Sequence, residues 1–279
     1  NRAFYGMMPA SISHEGYSAK PMHSYWDNFW ALRGYKDAVL IAQALGREDD
    51  ARRMADSRDR FHADLMDSLR AAGGAHGIDY LPGAAELGDF DPTSTTIALA
   101  PGGEMERLPQ DLLHNTFEQY WQRFAARRDG SLAWKDYTPY EWRNVGAFIR
   151  LGWRDRAWEA ADWFLADRAP PAWNQWAEVV SRTPRQPFFL GDLPHAWVAS
   201  DFVRAALDMF AYAREGDDSL VLAAGLPAGW LEGEGVGISG LRTASGLLAY
   251  RLRRDGGGLL LEVDDTGLRL PPGGLVLPW

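Results

Sequence analysis

Residues 9–34, PASISHEGYSAKPMHSYWDNFWALRG, are the most chemically loaded part of the chain. His14, Glu15, Tyr17, Lys20, His23, Tyr25, Trp26, Asp27, Trp30 and Arg33 crowd into them, and the segment runs without a break into an apolar helix. This mixture suits a wall that holds a sugar: aromatic faces cover the apolar faces of a pyranose, while carboxylates, imidazoles and a guanidinium meet its hydroxyls. Ser24 followed three residues later by Asp27 has the spacing of a capping box, and Gly46 stands where a helix would stop. Between them Trp26, Phe29, Trp30, Leu32, Val39, Leu40, Ile41 and Leu45 surround the helix, which predicts an inner, buried element. Asp27 has two readings, helix cap or ligand-facing group.

Working outward, residues 48–72 place Met54, Phe61, Leu65 and Leu69 on one face and charges on the other, an outer amphipathic helix closed by Gly73 and Gly74. Residues 77–101 carry Pro, Gly and Asp with no helical period in their first half, which predicts a long loop of the kind that often serves function. A helix follows over residues 109–127. Thr138, Pro139 and Glu141 offer a cap, a first-turn proline and a capping glutamate for another, ending near Gly152. Residues 153–166 form a short partner helix. A second long loop, residues 170–191, holds Trp173, Trp176, Glu178, Phe188 and Phe189, and Asp192-Leu193-Pro194 opens the last helix. After Gly216 the pattern changes to short apolar runs separated by Gly and Pro, with a hairpin over residues 251–262 turning at Asp255-Gly256-Gly257-Gly258.

The formal charge of −9 argues against nucleic acid and anionic membranes as partners. No apolar run is long enough to span a bilayer. The 13 Trp and 10 Tyr cluster partly in the candidate loops, which favours a stacking surface over core filling alone. Zero Cys excludes disulfides and thiol catalysis. The first residues, Asn1-Arg2-Ala3, read as those of a processed chain or a piece of a longer one.

Paired helices, alternately buried and amphipathic, with acidic and aromatic connections and a β module at the end, resemble an (α/α) toroid. SYWDNFWALRG resembles the aromatic-Trp-Asp motif that six-hairpin glycosidases of the trehalase, glucoamylase and maltose-phosphorylase type place on an inner helix. WNQWAEVV followed by GDLPHAWVASDF is similar to the late Trp-Glu loop and inner helix of α-L-rhamnosidase-like members, and the tail is similar to the β module ending several of these enzymes. The resemblance implies a mainly α fold: residues 1–216 as the catalytic portion of a toroid and residues 217–279 as a small antiparallel β-sandwich module. About six or seven helices are legible, fewer than a complete ring needs, so the missing N-terminal part of the same protein is an expected partner. The resemblance also implies a carbohydrate substrate, no cofactor and an extracellular or periplasmic setting.

It further implies an inverting glycosidase, which needs a carboxylic acid and a carboxylate base flanking the scissile bond. Glu178 matches the late base; its alternative is a loop carboxylate paired with Arg182 or Arg185. For the acid, Asp91 (with Asp89 and Phe90 beside it) and Glu15 compete, and Asp91-Pro92 is equally a helix cap. Tyr25, Trp26, Asp27, Trp30, Arg33, Trp176 and His195 are the expected sugar-binding residues, with His195 reading equally as a satisfied core histidine. Glu141 is explained by its capping position, His62, His76 and His114 read as structural or solvated, and no His-carboxylate spacing marks a strong metal site. Two other readings stand: a polysaccharide lyase or sugar epimerase, with Tyr17, His23 and His195 moving protons, and a non-catalytic carbohydrate-binding or scaffold fragment.

Overall fold

Tyr25–Ala44 form α1 in the computed structural model, which describes residues 2–13, 17, 19–168, 170–183 and 191–279. Ser24 has the extended backbone of a cap residue, but its side chain makes no capping hydrogen bond. Asp27 instead accepts from Ser11 Oγ and Ser13 Oγ, both at 2.8 Å. The spacing of a capping box is present without its chemistry, because two serines of the preceding segment reach the carboxylate. One face of α1 is buried (Tyr25, Phe29, Leu32, Lys36, Val39, Ala42), while Trp30, Leu40, Ile41 and Leu45 are exposed. The expected burial all round is corrected: α2 (Glu48–His76) and α3 (Pro92–Leu99), the helices that pack against α1, cover one side of it.

In α2, Glu48, Asp49 and Asp50 complement the positive helix start, and Phe61, Leu65, Leu69 and Ala72 are buried. The helix runs through Gly73 and Gly74 and stops only at Gly77, whose φ of +64° supplies the left-handed closure. Asp91 caps α3: its Oδ1 accepts from the Ser94 amide at 3.1 Å, with Pro92 at the first helical position. The fully buried Glu104 pairs with Lys36 of α1 and, at 2.9 Å, with His62 Nε2 of α2. Burial alone would raise the Glu104 carboxyl, but hydrogen bonds from His62 and Lys36 hold it below its ordinary value.

Two compact units are present, Asn1–Gln122 and Arg123–Trp279, and the division falls within α4 (Gln110–Asp129). In the second unit β1 (Asp136–Tyr137) pairs antiparallel with β2 (Val180–Ser181). A 3-10 turn, Pro139–Glu141, precedes α5 (Trp142–Arg150). Glu141 does not cap: it grips Arg127 through two bonds of 2.9 and 2.6 Å, and that guanidinium lies 4.7 Å from the Tyr137 ring and 5.0 Å from Trp163. Buried Ala157, Ala160 and Ala161 let α6 (Arg154–Ala166) approach α5 closely.

The last helix, α7 (Ala196–Phe210), starts later than expected, with His195 as the cap residue and Pro194 outside it. It also packs on α5, and two buried pairs join them: Arg143–Asp201 at 2.8 Å and Arg150–Asp208 at 2.5 Å. The partners lie two turns apart, in the same order, on both helices, so α5 and α7 run parallel. The helix-to-strand change comes at Ala211, earlier than the expected change at Gly216: β3 (Ala211–Arg214) pairs antiparallel with β4 (Ser219–Leu222). An antiparallel meander follows, β5 (Val236–Thr243), β6 (Gly246–Asp255) and β7 (Gly258–Asp264), and Asp255 opposite Gly258 leaves Gly256-Gly257 as the expected tight turn. Finally β8 (Leu275–Val276) returns to β4 in parallel, so that small sheet is mixed and not antiparallel throughout. The described residues thus combine seven α-helices with small antiparallel and mixed sheets. Among the described residues no helix is long and apolar enough to cross a membrane.

Candidate functional site

The parallel alignment of α5 and α7 brings their N-terminal ends together. The Tyr140 hydroxyl lies 2.6 Å from His195 Nε2, its ring packs edge-on against Trp197 at 5.8 Å, and the Arg143 guanidinium sits 4.8 Å from the Tyr140 ring and 5.5 Å from Trp197. Burial pushes the Asp201 carboxyl up, while Arg143, Arg204 and His195 pull it back. Residues 176–178 and 192–195 pair before α7: the Glu178 amide donates to the Asp192 carbonyl at 3.1 Å, and the His195 amide to the Trp176 carbonyl at 3.4 Å. Gly191, at φ +65°, approaches so closely that a Cβ there would collide with the Glu178 side chain. Glu178, Asp192 and His195 consequently present one ligand atom each, all within 4.8 Å of one another. Among the described residues neither Arg182 nor any other Arg or Lys forms an ion pair with Glu178 or Asp192; Arg185 lies outside the described residues. Two carboxylates face an imidazole held on its far side by a phenol, a set able to take up a proton or bind a cation.

The expected sugar-binding residues divide. Trp176 is 2 % exposed, its indole donates to the Phe164 carbonyl at 2.9 Å, and it packs against Trp142 and Phe202: it is core, correcting the reading of it as a stacking surface. Tyr25 is likewise buried, its hydroxyl 2.9 Å from Ser68 Oγ, because the first turn of α1 is pinned against α2. Trp26 and the exposed Trp30 contact edge to face at 6.0 Å. Arg33 is bonded to Asp37 and to the Pro101 carbonyl, and Asp27 to the two serines. Asp89 accepts from the Tyr17 hydroxyl at 2.6 Å and from the Ala84 amide at 2.9 Å, and the buried Tyr17 phenol is pushed far above its usual range. His23 lies 2.6 Å from Glu86. Glu15, Phe188 and Phe189 lie outside the described residues. Asp27 and Asp91 belong to the first unit, Glu178 and His195 to the second.

Sequence reading passed over Tyr140, Arg143, Asp192 and Trp197. For Asp192 the signal was its three-residue offset from His195, which was read as a helix start; the others needed the α5–α7 pairing to gain meaning. Elsewhere in the second unit, Ser239, Tyr250, Arg251, Glu262 and Asp264 line a shallow cleft of about 540 Å³ on the face of β5–β7. The chain matches no protein-family model, no curated protein and no solved structure.

Proposed function

We propose that this protein is a glycoside hydrolase of the (α/α)-toroid type, acting on a neutral glycoside with inversion and with Glu178 as the general base. The scaffold reading rests on a repeated packing rule: α1 contacts both α2 and α3, and α5 contacts both α6 and α7. α1 and α5 thus each meet their hairpin partner and the helix after it, and the parallel α5–α7 pair fits successive inner helices of such a ring. The meander β5–β7 then belongs to a supporting β module.

One observation carries the chemistry: Glu178, half-buried, shares a cluster with Asp192 and His195 in which no Arg or Lys among the described residues neutralises it. A base must be free to take a proton from water, and a carboxylate locked to a guanidinium is not. Asp192 is not its acid partner. Their oxygens lie within 4.8 Å, nearer than the roughly 6.5–9.5 Å between the carboxyl groups of an inverting pair. Glu178 and Asp192 therefore act on one side of the bond, Asp192 and His195 orienting the water that Glu178 deprotonates. The proton donor lies outside this cluster, and Asp91, held as the cap of α3, is a poor candidate for it. The exposed Trp197 ring and the Tyr140–Arg143 wall supply the stacking surface originally expected from Trp176.

Proton NMR of the first sugar released from a panel of neutral aryl glycosides tests the reading. An inverted anomer, lost in Glu178→Gln, supports it; a retained anomer, or rescue of Glu178→Gly by azide to a covalent adduct, overturns it.

The 2.6 Å contact between Tyr140 and His195 favours a second reading, a lyase or epimerase in which this pair moves the proton. Tyr17 and His23, the other agents of that reading, are engaged with Asp89 and Glu86. An unsaturated product, or exchange of a sugar C–H proton into deuterated water, would decide for it. Sugar binding with neither chemistry would decide for a carbohydrate-binding module.

A further inference from the structure

The geometry points to a divalent transition-metal site formed by Glu178, Asp192 and His195. These residues offer two carboxylate oxygens and one imidazole nitrogen within 4.8 Å of one another. A tetrahedral ion with bonds of about 2.0–2.2 Å needs its ligand atoms about 3.4 Å apart, so the set must contract by little more than an ångström. Asp192, with 84 % of its side chain exposed, has the freedom to make that move.

The imidazole is prepared for the role from outside the cluster. Tyr140 Oη holds Nε2 at 2.6 Å, which leaves Nδ1, already 3.7 Å from Asp192 Oδ2, as the nitrogen turned toward the carboxylates. With Nδ1 bound to metal, Nε2 keeps its proton and donates it to the phenol oxygen, an outer hydrogen bond of the kind that orients metal-binding histidines. A second, separate observation is the charge. Two carboxylates stand together, and among the described residues His195 is the single basic side chain in ion-pair range. A divalent cation cancels that repulsion fully.

One nitrogen and two oxygens select an ion of the Mn²⁺ to Zn²⁺ range; Ca²⁺ prefers six to eight oxygens and Mg²⁺ keeps most of its water. Three protein ligands leave a coordination position for water, as in catalytic more than structural zinc sites. The site does not depend on the hydrolase reading. Where both hold, a bound ion occupies the oxygens with which Glu178 would take its proton, so metal inhibits turnover and a chelator restores it.

Isothermal titration calorimetry of the chelator-stripped full chain with Zn²⁺, and with Ca²⁺ as contrast, tests the inference without any substrate. One equivalent of Zn²⁺ is expected to bind, Ca²⁺ at least about 100-fold more weakly. Asp192→Asn and His195→Gln should each weaken Zn²⁺ at least about 100-fold, and Tyr140→Phe about 10-fold. Near-ultraviolet circular dichroism confirms that the variants remain folded. Absence of a one-site isotherm at millimolar Zn²⁺, or binding unchanged in both ligand variants, overturns the site. Hydrolysis assays with chelator present report on Glu178 as base independently, so either idea can fail alone.

Discussion

Residues 9–34 and residues 173–201 are both rich in aromatic, acidic and imidazole side chains, yet they use them in different ways. In the first segment Asp27 is turned to Ser11 and Ser13, Tyr17 to Asp89, His23 to Glu86, and Arg33 to Asp37 and the Pro101 carbonyl, while Lys20 is exposed. In the second, Glu178 and Asp192 face each other and His195, and among the described residues no Arg or Lys forms an ion pair with either carboxylate. Density of chemically capable residues therefore does not by itself mark a site. A group whose hydrogen bonds are already made holds a fold together, and a group left half-satisfied is available for chemistry.

The sharpest way to break this contrast is to neutralise the Glu178 carboxylate, which has no Arg or Lys partner among the described residues. Glu178→Gln is expected to lower kcat by about 10²–10⁴, as removal of a general base does, with an unchanged thermal midpoint. A variant that unfolds more easily but turns over normally would make Glu178 one more structural carboxylate.

The opposite behaviour is expected at Glu104. Glu104→Ala leaves the buried Lys36 without its Glu104 counter-charge and should cost about 3–5 kcal/mol in chemical denaturation. Because the folded carboxyl lies below its ordinary value of 4.5, its contribution is present above that pH. It is lost as the pH falls through the lower folded value. Glu104→Gln should therefore flatten the acid limb of the stability curve; an unchanged limb would mean that the buried pair contributes nothing there.

A smaller effect separates Asp91 from the catalytic candidates. Asp91→Ala removes the cap of α3 and should cost about 1 kcal/mol, with Asp91→Ser recovering most of it. Loss of turnover in a fully stable Asp91→Ser would return this residue to the chemistry. Smallest of all, Ile41→Lys on the exposed side of α1 is expected to change stability by no more than about 0.5 kcal/mol. Glu262→Ala in the β5–β7 cleft should leave any turnover unaltered, and a fall in kcat would assign that cleft a part in catalysis.

Much of the scaffold was legible in the chain. Apolar spacing, proline and left-handed glycine positions located most of the helices and the Asp255–Gly258 hairpin, because those signals act within a few residues through backbone sterics and hydrogen bonding; α3 lies inside the stretch read as a long loop. Asp91 was narrowed to two roles by Asp-Pro before an apolar run, and the local amide of Ser94 selected the cap. What sequence could not reach was anything that depends on which surfaces meet. The side of α1 that stays exposed, the burial of Trp176 and the engagement of Glu141 with Arg127 instead of its own helix start all depend on neighbours distant along the chain. The same holds for the cluster at Glu178. Asp192 looked like a helix start and Tyr140 like an ordinary first-turn residue until two buried Arg–Asp pairs set α5 parallel to α7 and carried Tyr140 to His195. Local preferences are fixed by neighbours in sequence; the availability of a charged group is fixed by what remains to satisfy it after packing, and packing is a property of the folded whole.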